Sequence, residues 1–278
     1  MSKRFIVMLG LVALMALVLP AAAVINNITA GDTIFIGEQN LDITNALNGA
    51  TSISYYTTGQ PCVDVAQDTQ SVTNTGFYVS PAIFSSKTGA WYTCAGAVPT
   101  VAFRIQAPSL AVNIFNTNTT KSVNDGNIVR DQSMNIRVDS NVYLISTRAG
   151  FAPTDLTGDR FLVVKVRDTA GAVQTALFDN NGVATVIGPG IPTTNMTLGS
   201  QWFINGTAVN FPIWGTGYKQ GTSFYYPAGT YEVWVETNAN GMKDNLGAVT
   251  GQTVSAHHTV TISDNTVTIT ANTDTVVR

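Results

Sequence analysis

"TYEVWVET" occupies residues 230–237, and its side chains alternate without a break: Tyr231, Val233 and Val235 fall on one side, Glu232, Trp234 and Glu236 on the other. A period of two marks a strand with one face in a core and one toward solvent. Two carboxylates beside a tryptophan also suggest the acid and base of a sugar-cleaving enzyme. At about 3.3 Å per residue, however, Glu232 and Glu236 stand roughly 13 Å apart along the backbone. Glycosidase pairs need about 5–9.5 Å. The stretch therefore reads as a structural strand whose outer face carries solvated charges flanking an exposed aromatic.

The same alternation of β-branched and aromatic residues recurs along the chain. Segments 32–37, 51–57, 76–80, 89–94 and 100–105 come first; 110–116, 133–140, 160–168, 173–179, 230–237, 257–262 and 266–271 follow. Short strands at this spacing, broken by turn residues, indicate sandwiches or barrels. Asp179-Asn180-Asn181-Gly182 and Ser263-Asp264-Asn265 suit tight hairpin turns. The Gly-, Pro- and aromatic-rich stretch 188–229 reads as an elaborated loop or extra ribbon. The expectation is an all-β protein of two β-sandwich modules, 24–107 and 108–278, joined near Pro108, the second immunoglobulin-like and carrying that insertion.

Lys3 and Arg4, the apolar run 5–19 and Pro20-Ala21-Ala22-Ala23 have the form of a cleaved secretory signal peptide, residues 1–23. The run is shorter than the roughly 20 residues that span a bilayer, and no later stretch approaches that length. The mature chain is thus expected outside the cell with no membrane span. Setting the leader's two cations aside moves the formal net charge from −3 to about −5. With no basic patch, nucleic acid is not an expected partner.

Cys62 and Cys94 are the only cysteines. In an exported chain they default to one disulfide with each other; a bond between subunits or two free thiols are the alternatives. Sequons place glycosylation candidates at Asn27, Asn118, Asn195 and Asn205. His257 and His258 are strand neighbours that project to opposite faces, a poor arrangement for one metal ion. Calcium is the least implausible ligand, a weak candidate at Asn238, Asn240 and Asp244, although the loop lacks the spacing of a calcium-binding helix–loop–helix and reads first as an ordinary turn. No serine sits in a nucleophile-elbow sequence and no glycine-rich loop has phosphate-cradling spacing, so no cofactor and no enzymatic activity are expected. Trp214, Tyr218, Phe224, Tyr225 and Tyr226 suggest core or subunit packing, with a sugar-stacking platform as the rival.

Several separated stretches resemble a known family. "NNITAGDTIFIGEQNLDIT" (26–44), "VSPAIFSSKTGAWYTC" (79–94), "PAGTYEVWVETNANGMKDN" (227–245) and "GQTVSAHHTVTI" (251–262) are similar to the large exported surface-protein family of methanogenic archaea, over essentially all of 25–269. That resemblance implies a cell-envelope component, S-layer-like or a sheath protein. Many members continue into a linker and a C-terminal anchor, which this sequence does not show before Arg278; the resemblance then implies a subunit held by its neighbours. It brings no catalytic residues with it. The expected function is a structural envelope subunit that self-assembles with copies of itself, alongside other envelope proteins and glycans; the alternative is a secreted glycan-binding or adhesin module.

Overall fold

The computed structural model describes residues 26–96, 98–149, 151, 161–187, 199–204 and 208–264. The leader, Asn195, Asn205 and the strand expected at 266–271 lie outside the described residues.

Five strands form the N-terminal sheet: β1 (Thr33–Phe35), β2 (Ser52–Tyr55), β3 (Asp68–Ser71), β4 (Gly89–Thr93) and β5 (Thr100–Gln106), in the order β1-β5-β4-β2-β3. Only β1 and β5 run parallel; the other neighbours are antiparallel. Their inner side chains, among them Ile53, Trp91, Phe103 and Ile105, are buried. The layer facing them is built from one-turn helices α1 (Thr44–Leu47) and α2 (Pro81–Phe84) with the segment around Leu41 and Ile43, rather than from a second sheet. Residues 76–80, expected as a strand, contribute a single bridge, Phe77 to Leu41. Pro81 then starts α2, since a proline at the first helical position loses no hydrogen bond and brings its φ ready set. Cys62 and Cys94 form an intrachain disulfide that pins the long β2–β3 connection to the end of β4.

The C-terminal module is a sandwich. β6 (Leu110–Asn116), β7 (Gly126–Val129), β8 (Ser133–Ser140), β9 (Leu162–Arg167), β10 (Val173–Gln174), β11 (Ala176–Phe178), β12 (Ala184–Val186) and β13 (Gln201–Phe203) are followed by β14 (Trp214–Gly215), β15 (Lys219–Gln220), β16 (Ser223–Phe224), β17 (Gly229–Thr237), helix α3 (Met242–Leu246) and β18 (His258–Ser263). One sheet runs β10-β9-β17-β18-β7; in the other, β8 holds β6 on one side and β13 and β14 on the opposite side. Val112, Ile136 and Val138 from one sheet meet Val164, Val233 and Val235 from the other in a single buried cluster. The first sheet has the C′-C-F-G order of an immunoglobulin domain and β6-β8-β13 the A-B-E order. Tyr231, near the start of the F-equivalent strand, donates from its hydroxyl to the Pro227 carbonyl, 2.9 Å away, in the manner of an immunoglobulin tyrosine corner. The all-β class holds among the described residues, with strands dominating and helices short, the longest being a seven-residue 3-10 helix at Asn141–Thr147.

Turn chemistry explains several connections. Asp179 Oδ1 accepts the N–H groups of Asn181 and Val183, closing the β11–β12 hairpin at the predicted turn. The turn expected at Ser263-Asp264-Asn265 includes Asn265, which lies outside the described residues. β18 is flanked by antiparallel β17 and parallel β7, so both of its sides are filled. Asp264 is held by Arg130, whose guanidinium also donates to the carbonyls of Thr216 and Tyr226 and lies 4.2 Å from the Phe224 ring centre.

A buried polar seam joins the two modules. Glu38 and Arg148 have fully buried side chains and pair through both carboxylate oxygens, at 2.9 and 2.6 Å. Each remaining site is used: Glu38 accepts from the Phe35 N–H and from the Asn240 amide, and Arg148 also donates to the Thr33 carbonyl. Asn245 donates to the Gly37 carbonyl at 2.7 Å. Gly37 has φ +92°, and a Cβ there would sit 3.0 Å from Leu246 Cγ, so the seam requires glycine. Phe35, from the first sheet, is buried in the second module's core. The linker is tied as well: Asn141 accepts from the Ser109 N–H and donates to the Ala107 carbonyl.

Candidate functional site

The outer face of β9 and β17 holds the densest charge in the described chain. Arg167 pairs with Glu232 at 2.6 Å, and His257 Nδ1 lies 2.7 Å from the other oxygen of the same carboxylate. Four residues along, Glu236 takes the Trp234 indole N–H at 2.7 Å, Lys165 at 3.1 Å, and Lys243 from α3. Between the two carboxylates lies Trp234, and here the sequence expectation is corrected. The residue is 4% exposed, although it is on the solvent side of its strand. His257 stacks on it at 4.7 Å, and the Arg167 guanidinium lies 4.9 Å from its ring. Alternation gave the face correctly; it did not show that long side chains from the neighbouring strand would roof the ring.

Each carboxylate has its own partners, so the face is a ladder of polar pairs. Burial alone would raise the Glu236 pKa, but the Lys243, Trp234 and Lys165 hydrogen bonds outweigh it and bring the carboxyl down to about 2. A group depressed from its ordinary 4.5 stabilises the fold above that value and loses the contribution as pH falls toward 2. Glu236→Gln is therefore expected to melt lower than the parent at pH 7, with the gap closing between pH 4.5 and pH 2. Thermal melts across that range test it; a gap independent of pH contradicts the assignment.

Beside the ladder is a cleft of about 480 Å³, walled by β9, the residues around β10, the end of β17 and α3. Val163, Lys165, Thr175, Glu236, Lys243 and Asp244 line it.

The family model for DUF3821, a domain of unknown function, matches residues 30–244. The chain belongs to the DUF3821 family. No curated protein matches the sequence. Among solved structures, the wild-type BspA C-terminal domain of the Streptococcus agalactiae AgI/II polypeptide is 10% identical, over 62% of this chain and 56% of that one, with a TM-score of 0.24. A structure titled BspA_C_WT gives 10% identity over 62% and 57%, with a TM-score of 0.23. The chain thus spans a little over half the length of those structures, and likeness of that degree carries no fold or functional assignment.

In this DUF3821 chain the remaining candidates are dispersed. His257 meets Glu232 and His258 meets Asp125, so the two imidazoles do point to different partners. Of the weak calcium residues, Asn238 and Asp244 stay together, the Asn238 amide donating to Asp244 Oδ2 at 3.1 Å while its Oδ1 caps the N–H groups of Lys243 and Asp244; the Asn240 amide turns away to Glu38. Trp214 and Tyr226 are buried and pack on Tyr231, which places them in the core and removes them from any sugar platform. Tyr218 and Tyr225 pack on Phe178, and Phe224 lies under Arg130 and Lys219. Asn118 is exposed on the turn after β6; Asn27 is half-buried and accepts from Asn45. Among the described residues no helix is long and apolar enough to cross a membrane. The seam at Glu38 and Arg148 has no motif in the sequence, its two members standing 110 residues apart.

Proposed function

We propose that this chain is a structural subunit of a cell-surface layer, exported, non-catalytic, and assembled from copies of itself into an S-layer or tubular sheath of the kind its sequence resembles in methanogenic archaea. The observation that carries this reading is the seam. Two modules welded by a fully satisfied buried ion pair and a tied linker make one stiff body, whereas modules meeting across an ordinary interface move against each other. A repeating layer transmits shape only through stiff units.

Two further features support it. The intrachain disulfide suits an oxidising, extracellular setting. β3 is an edge strand of the N-terminal sheet, and its sequence Asp68-Thr69-Gln70-Ser71 has neither lysine nor proline to repel an added strand. Neighbouring subunits, other envelope proteins and their glycans are the proposed partners. Electron microscopy of isolated envelopes, with mass spectrometry of the same material, tests the reading. An abundant, detergent-resistant array containing this chain is the expected result; recovery only as a scarce free monomer rejects it.

A further inference from the structure

We infer that the cleft between β9 and α3 is a binding site for neutral carbohydrate, an activity separate from assembly. Its volume, about 480 Å³, lies within the roughly 300–1,000 Å³ of small-ligand sites and suits one to three sugar rings. Lys165 and Lys243 bring two positive charges to its walls, and Glu236 and Asp244 bring two negative ones. That balance disfavours a strongly charged ligand and leaves an array of donors facing acceptors.

The array is incompletely used. An ammonium group has three N–H donors, and Lys165 and Lys243 each make one ion pair, both to Glu236. Among the described residues, Asp244 accepts a side-chain hydrogen bond through Oδ2 alone, from Asn238. Thr175 is exposed at the rim with its hydroxyl unpartnered among the described residues. Thr237 also lines the cleft, and its buried Oγ1 has no partner among the described residues. Sugar hydroxyls donate and accept at once, so one ring satisfies both kinds of group. Val163 and Val173 supply apolar surface for the C–H face of that ring, Val173 being 45% exposed. Glu236 stays ionised across the physiological range and can only accept here, which fixes the polarity of the site.

The test is a glycan array carrying neutral and acidic oligosaccharides, probed with the disulfide-intact chain, followed by calorimetry on the strongest neutral hit. Lys165→Met, which keeps the aliphatic stem, is expected to weaken binding about tenfold or more, as for loss of a hydrogen bond from a charged group. Thr175→Trp, at an exposed rim position, is expected to block the cleft without touching the ion pairs; it decides the matter if Lys165→Met fails to fold. An empty array, a preference for acidic glycans, or affinity indifferent to both substitutions overturns the inference. None of these outcomes bears on whether the chain assembles.

Discussion

Arg148→Ala is expected to destabilise the chain by about 3–5 kcal/mol, the cost of leaving one partner of a buried ion pair uncompensated. Glu38 would keep the Phe35 N–H and the Asn240 amide, but its charge would face no cation in a site with no solvent access. The Thr33 carbonyl would lose its guanidinium donors as well. Denaturant unfolding at neutral pH measures the loss. The parent chain is expected to unfold in one transition, because the modules share Phe35 and the seam; the variant is expected to unfold in two. The double variant Glu38→Leu with Arg148→Met removes both charges and should recover part of the loss, since a buried pair exchanged for apolar groups is often near neutral. A cost under about 1 kcal/mol for Arg148→Ala would mean that water reaches the pair and that the modules are not welded.

Replacing both cysteines, Cys62→Ser with Cys94→Ser, is expected to cost roughly 3–4 kcal/mol, the chain-entropy value for closing a loop of about 33 residues. The two positions are 32 apart in sequence, and the loop they close holds β3, α2 and β4. The effect should fall on the N-terminal module: its single sheet is faced by two one-turn helices and has no second sheet to replace the lost restraint. Trp91, buried in that core against Tyr55 and Phe84, reports it by fluorescence. Loss of less than about 1 kcal/mol, or an equal loss in the sandwich, would show that the bond does not act by restraining this loop.

Regular strands were the legible part of this chain. Segments 110–116 and 133–140 appear with the boundaries that alternation predicts, because β-branched residues on one face meet a core along their whole length. Polar edge strands such as β3 and β7 carry no such pattern; their partners create them. Residues 76–80 read as strand from Phe77 and Val79, but the proline at 81 was the stronger signal and a helix begins there. For the site, the face of each ladder residue followed from its position in "TYEVWVET", while the roof over Trp234 required β9 and His257, about 70 residues upstream and 23 downstream. Glu38 and Arg148 are 110 residues apart, and nothing local in either neighbourhood announces the other. Long-range polar pairing is set by where the strands end, which periodicity does not encode.

The side-by-side parallel run of β7 and β18 also has a mechanical consequence. Tension entering at Gly126 and leaving at Ser263 pulls these strands past one another, straining their backbone bonds together instead of opening them one at a time. β17, antiparallel on the opposite flank of β18, must slip in the same movement. A pull along that line therefore meets the four paired residues of β7 and β18 in shear, the geometry in which strand pairs resist extension most.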